Sequence, residues 1–325
     1  MPASTAHSKS LVFISRLLVG AVVGLIFVGA MVTSKGAGMA VPDWPLSFGS
    51  LNPPKWWENE GVFWEHGHRL FASMIGLVVI ALLVAMYRVP QGKHLRALGW
   101  IALVGVILQG VLGGIRVLLG TAGHETEALL VAIGHACLAQ SFFCLTLGIL
   151  VMIHGVRFVD REQTLLPGQF RLGAAIVGAL LFQLVVGAII RHFKAGLAIP
   201  DFPLSFGRWV PPLETAPVIL AFIHRSWAFV IVGLIFWLAA RVLFEPGSGR
   251  TSRRLVWVIL TAVMVQVALG ATVIWTQKLS IPTSLHVLNG ALLLGSVFVF
   301  TLRAWLAGRV VAETARQPNQ PVGVA

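Results

Sequence analysis

Charge is scarce in this sequence. Only 11% of its 325 residues are Asp, Glu, Lys or Arg, against about 25% in a typical water-soluble domain. So few charges cannot solvate the surface of a soluble fold this long, and 57% of the residues are hydrophobic. The solvent for most of the surface is therefore lipid. Cysteine is nearly absent too. Cys137 and Cys144 lie in one apolar run, two helical turns or about 10 Å apart, too far for a disulfide. The outer loops hold no cysteine, and both thiols read as small apolar fillers. No cleavable leader is expected in these residues. The first apolar run is too long for a signal-peptide core and lacks a small-residue cleavage site, so it reads as a retained span.

What is present is a series of eight apolar runs. They fall at 12–33, 67–87, 97–117, 128–153, 172–192, 221–243, 255–275 and 284–306, each near the length that crosses a bilayer as a helix. Eight spans put both termini on one side. Fifteen of the 24 Lys and Arg residues lie on that side, but only four of the 12 acids. The positive-inside rule then places both termini in the cytoplasm of a bacterial-type plasma membrane. The net charge of +12 is thus a topology signal, and nucleic acid is not an expected partner. Membrane lipid is the expected environment.

The chain repeats itself. Pro42-Asp43-Trp44-Pro45-Leu46-Ser47-Phe48-Gly49 recurs as Pro200-Asp201-Phe202-Pro203-Leu204-Ser205-Phe206-Gly207, an offset of 158. Gly29-Ala30 matches Gly187-Ala188, His68-Arg69 matches His224-Arg225, Gln109 and Gly113 match Gln266 and Gly270, and His135 matches His286. Four spans per unit is an even number, so the halves share one orientation. The expected fold is an all-α membrane protein of eight transmembrane helices, arranged as two tandem pseudo-symmetric four-helix bundles. The expected boundaries are a disordered 1–11, a first half at 12–153, a cytoplasmic linker at 154–171, a second half at 172–306 and a tail at 307–325. The Pro-Asp-aromatic-Pro loops cannot be regular helix. They read equally as rigid caps or as lids over a site.

Of ten histidines, His7, His94 and His154 fall near cytoplasmic segments. His66, His124 and His192 fall at outer span ends without counterparts, and read as solvated or interfacial. His68, His135, His224 and His286 differ. Each lies in the first turns of a span entering from outside, within about 10 Å of the interface. Ionisable residues inside a membrane point to function. Two facing imidazoles in an apolar four-helix bundle suit axial ligation of a haem. A metal site is the competing reading, with few carboxylates at that depth to complete a shell. Gly113, Gly114 and Gly270 would let a flat macrocycle approach the backbone, or simply serve helix packing. Arg69 and Arg225 would pair with haem propionates or with lipid headgroups.

The repeat breaks at one acid. Glu65 precedes His68 by three residues, on the same helical face, whereas Ala221 precedes His224. Glu65 reads either as a helix N-terminal acid favouring the macrodipole or as a catalytic acid or base in the first half alone.

The Glu-x-x-His-Arg of the second span, the doubled loop and the four histidines on alternate spans together resemble the haem A synthase family, over about residues 12–306. The resemblance implies two hydroxylation steps that oxidise the ring D methyl of haem O to a formyl group, giving haem A for terminal oxidases. It implies substrate haem between His68 and His135, cofactor haem b between His224 and His286, and Glu65 as the essential glutamate. It also implies a haem O synthase (a prenyltransferase) and an electron-transfer partner, and is compatible with a homo-oligomer. Many members carry cysteine pairs in the outer loops. Here Ala40, Val41 and Ser47, and Ala198, Ile199 and Ser205, stand there instead. Two other classes remain open on the residues alone. A diheme bis-histidine electron-transfer cytochrome needs the same histidines but not Glu65. A transporter of parallel repeats needs polar groups near the midplane, where Gln109 and Gln266 are the deepest.

Overall fold

A computed structural model describes residues 3–89, 93–154 and 169–316. Eight helices run in chain order: α1 Ala3–Ser34, α2 Glu60–Tyr87, α3 Lys93–Thr121, α4 Glu125–His154, α5 Gln169–His192, α6 Ala216–Leu243, α7 Arg250–Trp275 and α8 Ser280–Arg316. Each contains a segment apolar and long enough to cross a membrane. The shortest, α5 with 24 residues, spans about 36 Å at 1.5 Å per residue, more than the roughly 30 Å hydrocarbon core. The protein is an integral, multi-pass membrane protein.

The helices are longer than the apolar runs because polar and capping residues extend them past the hydrocarbon. Asn59 caps α2, its side chain accepting from the Val62 amide at 3.1 Å, so α2 starts at Glu60 rather than at 67. Pro stands in the first turn of α6, where its missing N–H costs nothing. His68 is consequently two turns inside its helix. Counted from the helix starts, the four histidines lie about 9–15 Å in. At the N-terminus α1 already begins at Ala3, upstream of the boundary expected at residue 12. No Pro or Gly interrupts residues 3–11, so nothing breaks the helix there. At the other end α8 continues past 306 to Arg316. Most of the expected linker, 155–168, and the tail from 317 lie outside the described residues.

Packing divides the helices into two rings of four. α1, α2, α3 and α4 each touch the next and α1 closes on α4, and α5 to α8 repeat the pattern. The rings meet through α1 and α4 on one side and α5 and α8 on the other. Each ring has its own apolar core. One gathers Leu18, Ile75, Leu82 and Phe142, the other Ile176, Ile235, Ile259 and Val297. The α4–α8 crossing is reciprocal. Gly148 of α4 faces Phe298 and Leu302 of α8, and Gly295 of α8 faces Phe143 and Leu147 of α4. Lipid gives helices no hydrophobic reason to associate, so close approach at small residues supplies the attraction. At the end that carries the histidines, Arg191 of α5 donates to Ala30 O (2.6 Å) and Ser34 Oγ (2.9 Å) of α1. Ser34 also bonds Ser284 of α8.

The two Pro-Asp-aromatic-Pro loops are copies in structure as in sequence. In each, an aspartate carboxylate accepts two backbone amides. Asp43 takes Phe48 and Gly49 at 2.7 and 2.8 Å, and Asp201 takes Phe206 and Gly207, both at 2.7 Å. Those amides belong to residues in the left-handed region, with φ of 52–72°. The aspartate thus compensates for a conformation that phenylalanine seldom adopts. Peptide bonds Trp44–Pro45 and Phe202–Pro203 are cis. Val41 and Ile199 plug the bundle tops with 0% exposure.

The amide of Gly49 above all, with Phe48, holds the Asp43 carboxyl below its ordinary value of 3.8, and Gly207 and Phe206 do the same for Asp201. A depressed value means the contribution is whole above about pH 3.8 and is lost as pH falls through the lower folded value. Corrected hydrogen-exchange protection of the Phe48 and Gly49 amides should therefore be constant from neutral pH to about 4 and decline below it. In Asp43→Ala it should be low throughout. Equal protection in the variant and the parent would show that the carboxylate does not order the loop.

Candidate functional site

The four spaced histidines occupy equivalent positions in the two bundles, and a neighbouring helix explains each one. The His68 ring lies against Gly29 of α1, its Cε1 3.0 Å from where a Cβ would stand. His224 meets Gly187 of α5 at 3.1 Å, His286 meets Gly270 of α7 at 3.2 Å, and His135 meets Gly113 of α3 at 3.6 Å. A side chain at the first three would press into the ring. These glycines are notches for imidazoles. Gly113 and Gly270, read as room for a macrocycle or for helix packing, lie against histidine rings. Gly114, expected in the same role, receives the Trp44 indole.

One turn deeper on three of those helices a glutamine braces the histidine backbone. Gln109 donates to His135 O at 3.2 Å, Gln183 to His224 O at 2.8 Å and Gln266 to His286 O at 3.1 Å. The pattern Gln-x-x-x-Gly on α3, α5 and α7 sets brace and notch on one face. On α1 the matching residue is Leu25, so His68 has no such brace. In the second bundle Asn289 adds a 2.7 Å bond to Gln266 Oε1. Nothing in the repeat comparison pointed to Gln183, because its partner position is apolar.

Each of the four rings keeps a buried Nδ1 without a hydrogen-bond partner. Among the described residues, Nε2 of His68, His135 and His224 makes no hydrogen bond either, and His286 Nε2 has only a 3.4 Å approach from Gln266. Imidazoles fixed at the backbone, held in notches and left with free nitrogens in an apolar bundle fit axial haem ligands. Among the described residues no three His, Cys, Asp or Glu side chains come together. A site made of protein ligands alone would therefore have no complete shell.

Above the histidines the two arginines behave alike. Arg69 Nη1 donates to Asp43 O and Leu46 O (2.7 and 3.0 Å), and Nη2 to Val41 O (3.0 Å). Arg225 Nη1 donates to Asp201 O and Leu204 O (2.7 and 3.1 Å), and Nη2 to Ile199 O (2.9 Å). The donors expected to meet propionates hold the loops down over the bundles. The sequence could not distinguish these uses, since carbonyls and carboxylates both satisfy a guanidinium.

Glu65 is 4% exposed. Its Oε1 accepts from Arg69 at 2.8 Å and its Oε2 from the Val41 amide at 2.8 Å. It does not sit at the helix end as a macrodipole acid, because α2 starts five residues earlier. Nor does the loop need it. The second half holds the same loop with the same arginine geometry and Ala221 in that place. A buried carboxylate that the fold does without in its own copy points to chemistry in the first bundle.

Three further groups surround that bundle's top. His66, expected at a solvated or interfacial position, is 2% exposed. Its Nδ1 bonds Ser47 Oγ at 2.8 Å, and Trp56 packs against its ring. The longer α2 carries it under the loop. His192, expected in the same class, is partly buried at the end of α5. It lies within electrostatic range of Arg116 and His135, so the second half contributes to the rim of the first site. Arg116 of α3 lies within the same range of Glu65, His68 and His135. His124, by contrast, is exposed as expected, and Cys137 and Cys144 are free thiols.

Comparison with known proteins agrees with this geometry. The pattern of the cytochrome oxidase assembly protein family matches residues 9–298. A protein named heme A synthase from Symbiobacterium thermophilum is 33% identical over 258 residues, covering 75% of this chain and 78% of that one. One of the same name from Shouchella clausii is 28% identical over 305 residues, covering 89% and 93%. Another from Bradyrhizobium sp. strain ORS 278 is 26% identical over 345 residues, covering 92% of each. The chain belongs to the haem A synthase family of cytochrome oxidase assembly proteins.

Proposed function

We propose that this protein is a haem A synthase that oxidises the ring D methyl of haem O to a formyl group in its first half, 12–153, and holds haem b in its second, 172–306. His68 and His135 would bind the substrate haem, and His224 and His286 the cofactor haem. When bound, haem O is the substrate and haem b supplies one-electron redox chemistry. The observation that carries this reading is Glu65 opposite Ala221 in an otherwise duplicated site.

Oxidation of a methyl carbon releases protons, and a positioned carboxylate takes them up. Glu65 stands one turn outward of His68. The Val41 amide and Arg69 fix the direction of its two oxygens. The loop that supplies Val41 also keeps bulk water off the carboxylate. Arg69 and Arg225 act through the loops they hold; a propionate would reach only Nε–H of Arg69, whose terminal donors are all engaged, and the Nε–Nη2 edge of Arg225. A haem O-forming prenyltransferase would supply the substrate, and an electron-transfer partner would remove electrons. The Lys and Arg asymmetry orients both termini to the cytoplasm and both loops outward.

Glu65→Ala should leave the second-half haem b spectrum intact while haem A formation, measured by extraction from a haem O-producing strain, falls by about 10²–10⁴-fold. An unchanged haem A yield would remove the catalytic role, and a wild type that makes none despite full haem b and an electron partner would favour the electron-transfer cytochrome. For topology, Leu51→Cys, at a position 79% exposed, should react with an impermeant thiol reagent in intact cells, and Pro246→Cys should not. The opposite labelling would invert the orientation.

A further inference from the structure

We propose that Arg116 is the carboxylate anchor of the first bundle, binding the ring D propionate of haem O and thereby setting the neighbouring methyl beside Glu65. The proposal rests on the first bundle being the substrate site.

Arg116 follows Gly113, the His135 notch, by three residues on α3, so it lies on the same face one turn outward. Glu65 stands in the same relation to His68. Both side chains therefore sit at one level above the histidines, on different helices. The Arg116 guanidinium lies against the backbone at Gly38, with Nη2, Nη1 and Cζ 2.5–2.9 Å from where a Cβ would stand. Only glycine admits it there. Three residues on, the Val41 amide binds Glu65. One loop segment thus brings the cation and the acid together.

The other arginines of the outer interior have their terminal nitrogens bonded: Arg69 and Arg225 to loop carbonyls, Arg191 to Ala30 and Ser34. Among the described residues Arg116 makes no hydrogen bond at all, and its one charge partner is Glu65. A half-buried guanidinium with empty donors is unfavourable until an anion arrives. The groups around it are Glu65, His68, His135 and His192, and none of them bonds it. The second bundle has Val273 at the repeat-equivalent position. The cation belongs to the substrate half alone.

The chemistry supplies a reason. Two axial histidines leave a haem free to rotate about the line joining them, and either face can turn to either helix. A reaction at a single methyl needs an off-axis handle. Ring D carries the reacting methyl and a propionate on adjacent carbons. A planar fork that grips the carboxylate fixes the methyl one carbon away, next to Glu65.

The test titrates haem O, and haem O with both propionates methyl-esterified, into purified protein whose second site already holds haem b. Soret difference spectra give each affinity. Wild type should prefer the free acid by about 10- to 100-fold, the span of a charged hydrogen bond. Arg116→Met should lose most of that preference, and Arg116→Lys should restore part of it. A merely structural arginine would alter both affinities together and leave their ratio unchanged. An unchanged ratio in Arg116→Met, or none in wild type, overturns the proposal. Intact haem b absorption in the variants reports that they have folded; if neither variant keeps it, the Arg116→Lys ratio is replaced by that of Gly38→Ala, which must displace the guanidinium and lower the preference. A wild type that takes up neither ligand refutes the first-bundle reading itself, a result distinct from equal binding of both.

Discussion

Inside a bilayer a polar group finds no water and must be satisfied by the chain itself or by a ligand. Everything at the top of this protein follows from that constraint. Four imidazoles lie in an apolar environment that would reject them unless each had a defined seat. Glycine notches give the rings room, and three glutamines tie the histidine backbones to the adjacent helices. What remains unsatisfied is the buried Nδ1 of each ring, two in each bundle. The Asp-amide loops and the arginines that grip their carbonyls close the outer ends by the same rule.

Duplication supplied the scaffold twice, and the proposed division of labour rests on the differences. The second bundle is the better braced, with Gln183 and the Gln266–Asn289 pair where the first has Leu25 and Leu138 near its histidines. A rigid site suits a resident cofactor. The first bundle has fewer braces and more charge, with Glu65 and Arg116 where the second has Ala221 and Val273. A site that must admit, orient and release a substrate is expected to be this way round. His192 and Arg191 reach across from the second half, so the two bundles share the wall between their sites.

The spans, the duplication, the loops and the four histidines were legible in the sequence because each is a pattern: length of apolar run, fixed offset, repeated residue. Boundaries were less so. The helix ends are set by Asn59 and by polar turns outside the hydrocarbon, which hydropathy does not see. Partners were the least legible. Arg69 and Arg225 read as propionate donors because a cation at the membrane edge has several possible anions, and the loop carbonyls that take it are distant in sequence. Gly113 and Gly270 read as macrocycle contacts because glycine reports only that something comes close. His66 read as interfacial because the apolar run starts at 67, past the true start of α2 at Glu60, and Arg116 stood in an apolar run with no partner near it in sequence.

The central claim is that two similar bundles hold two different haems. Mass identification of the haems extracted from purified His135→Ala and His286→Ala proteins, expressed where haem O is made, tests it most directly. The account predicts that His286→Ala loses haem b and keeps haem O or haem A, whereas His135→Ala keeps haem b and loses the others. Loss of the same haem from both variants, or an unchanged complement in either, would contradict it.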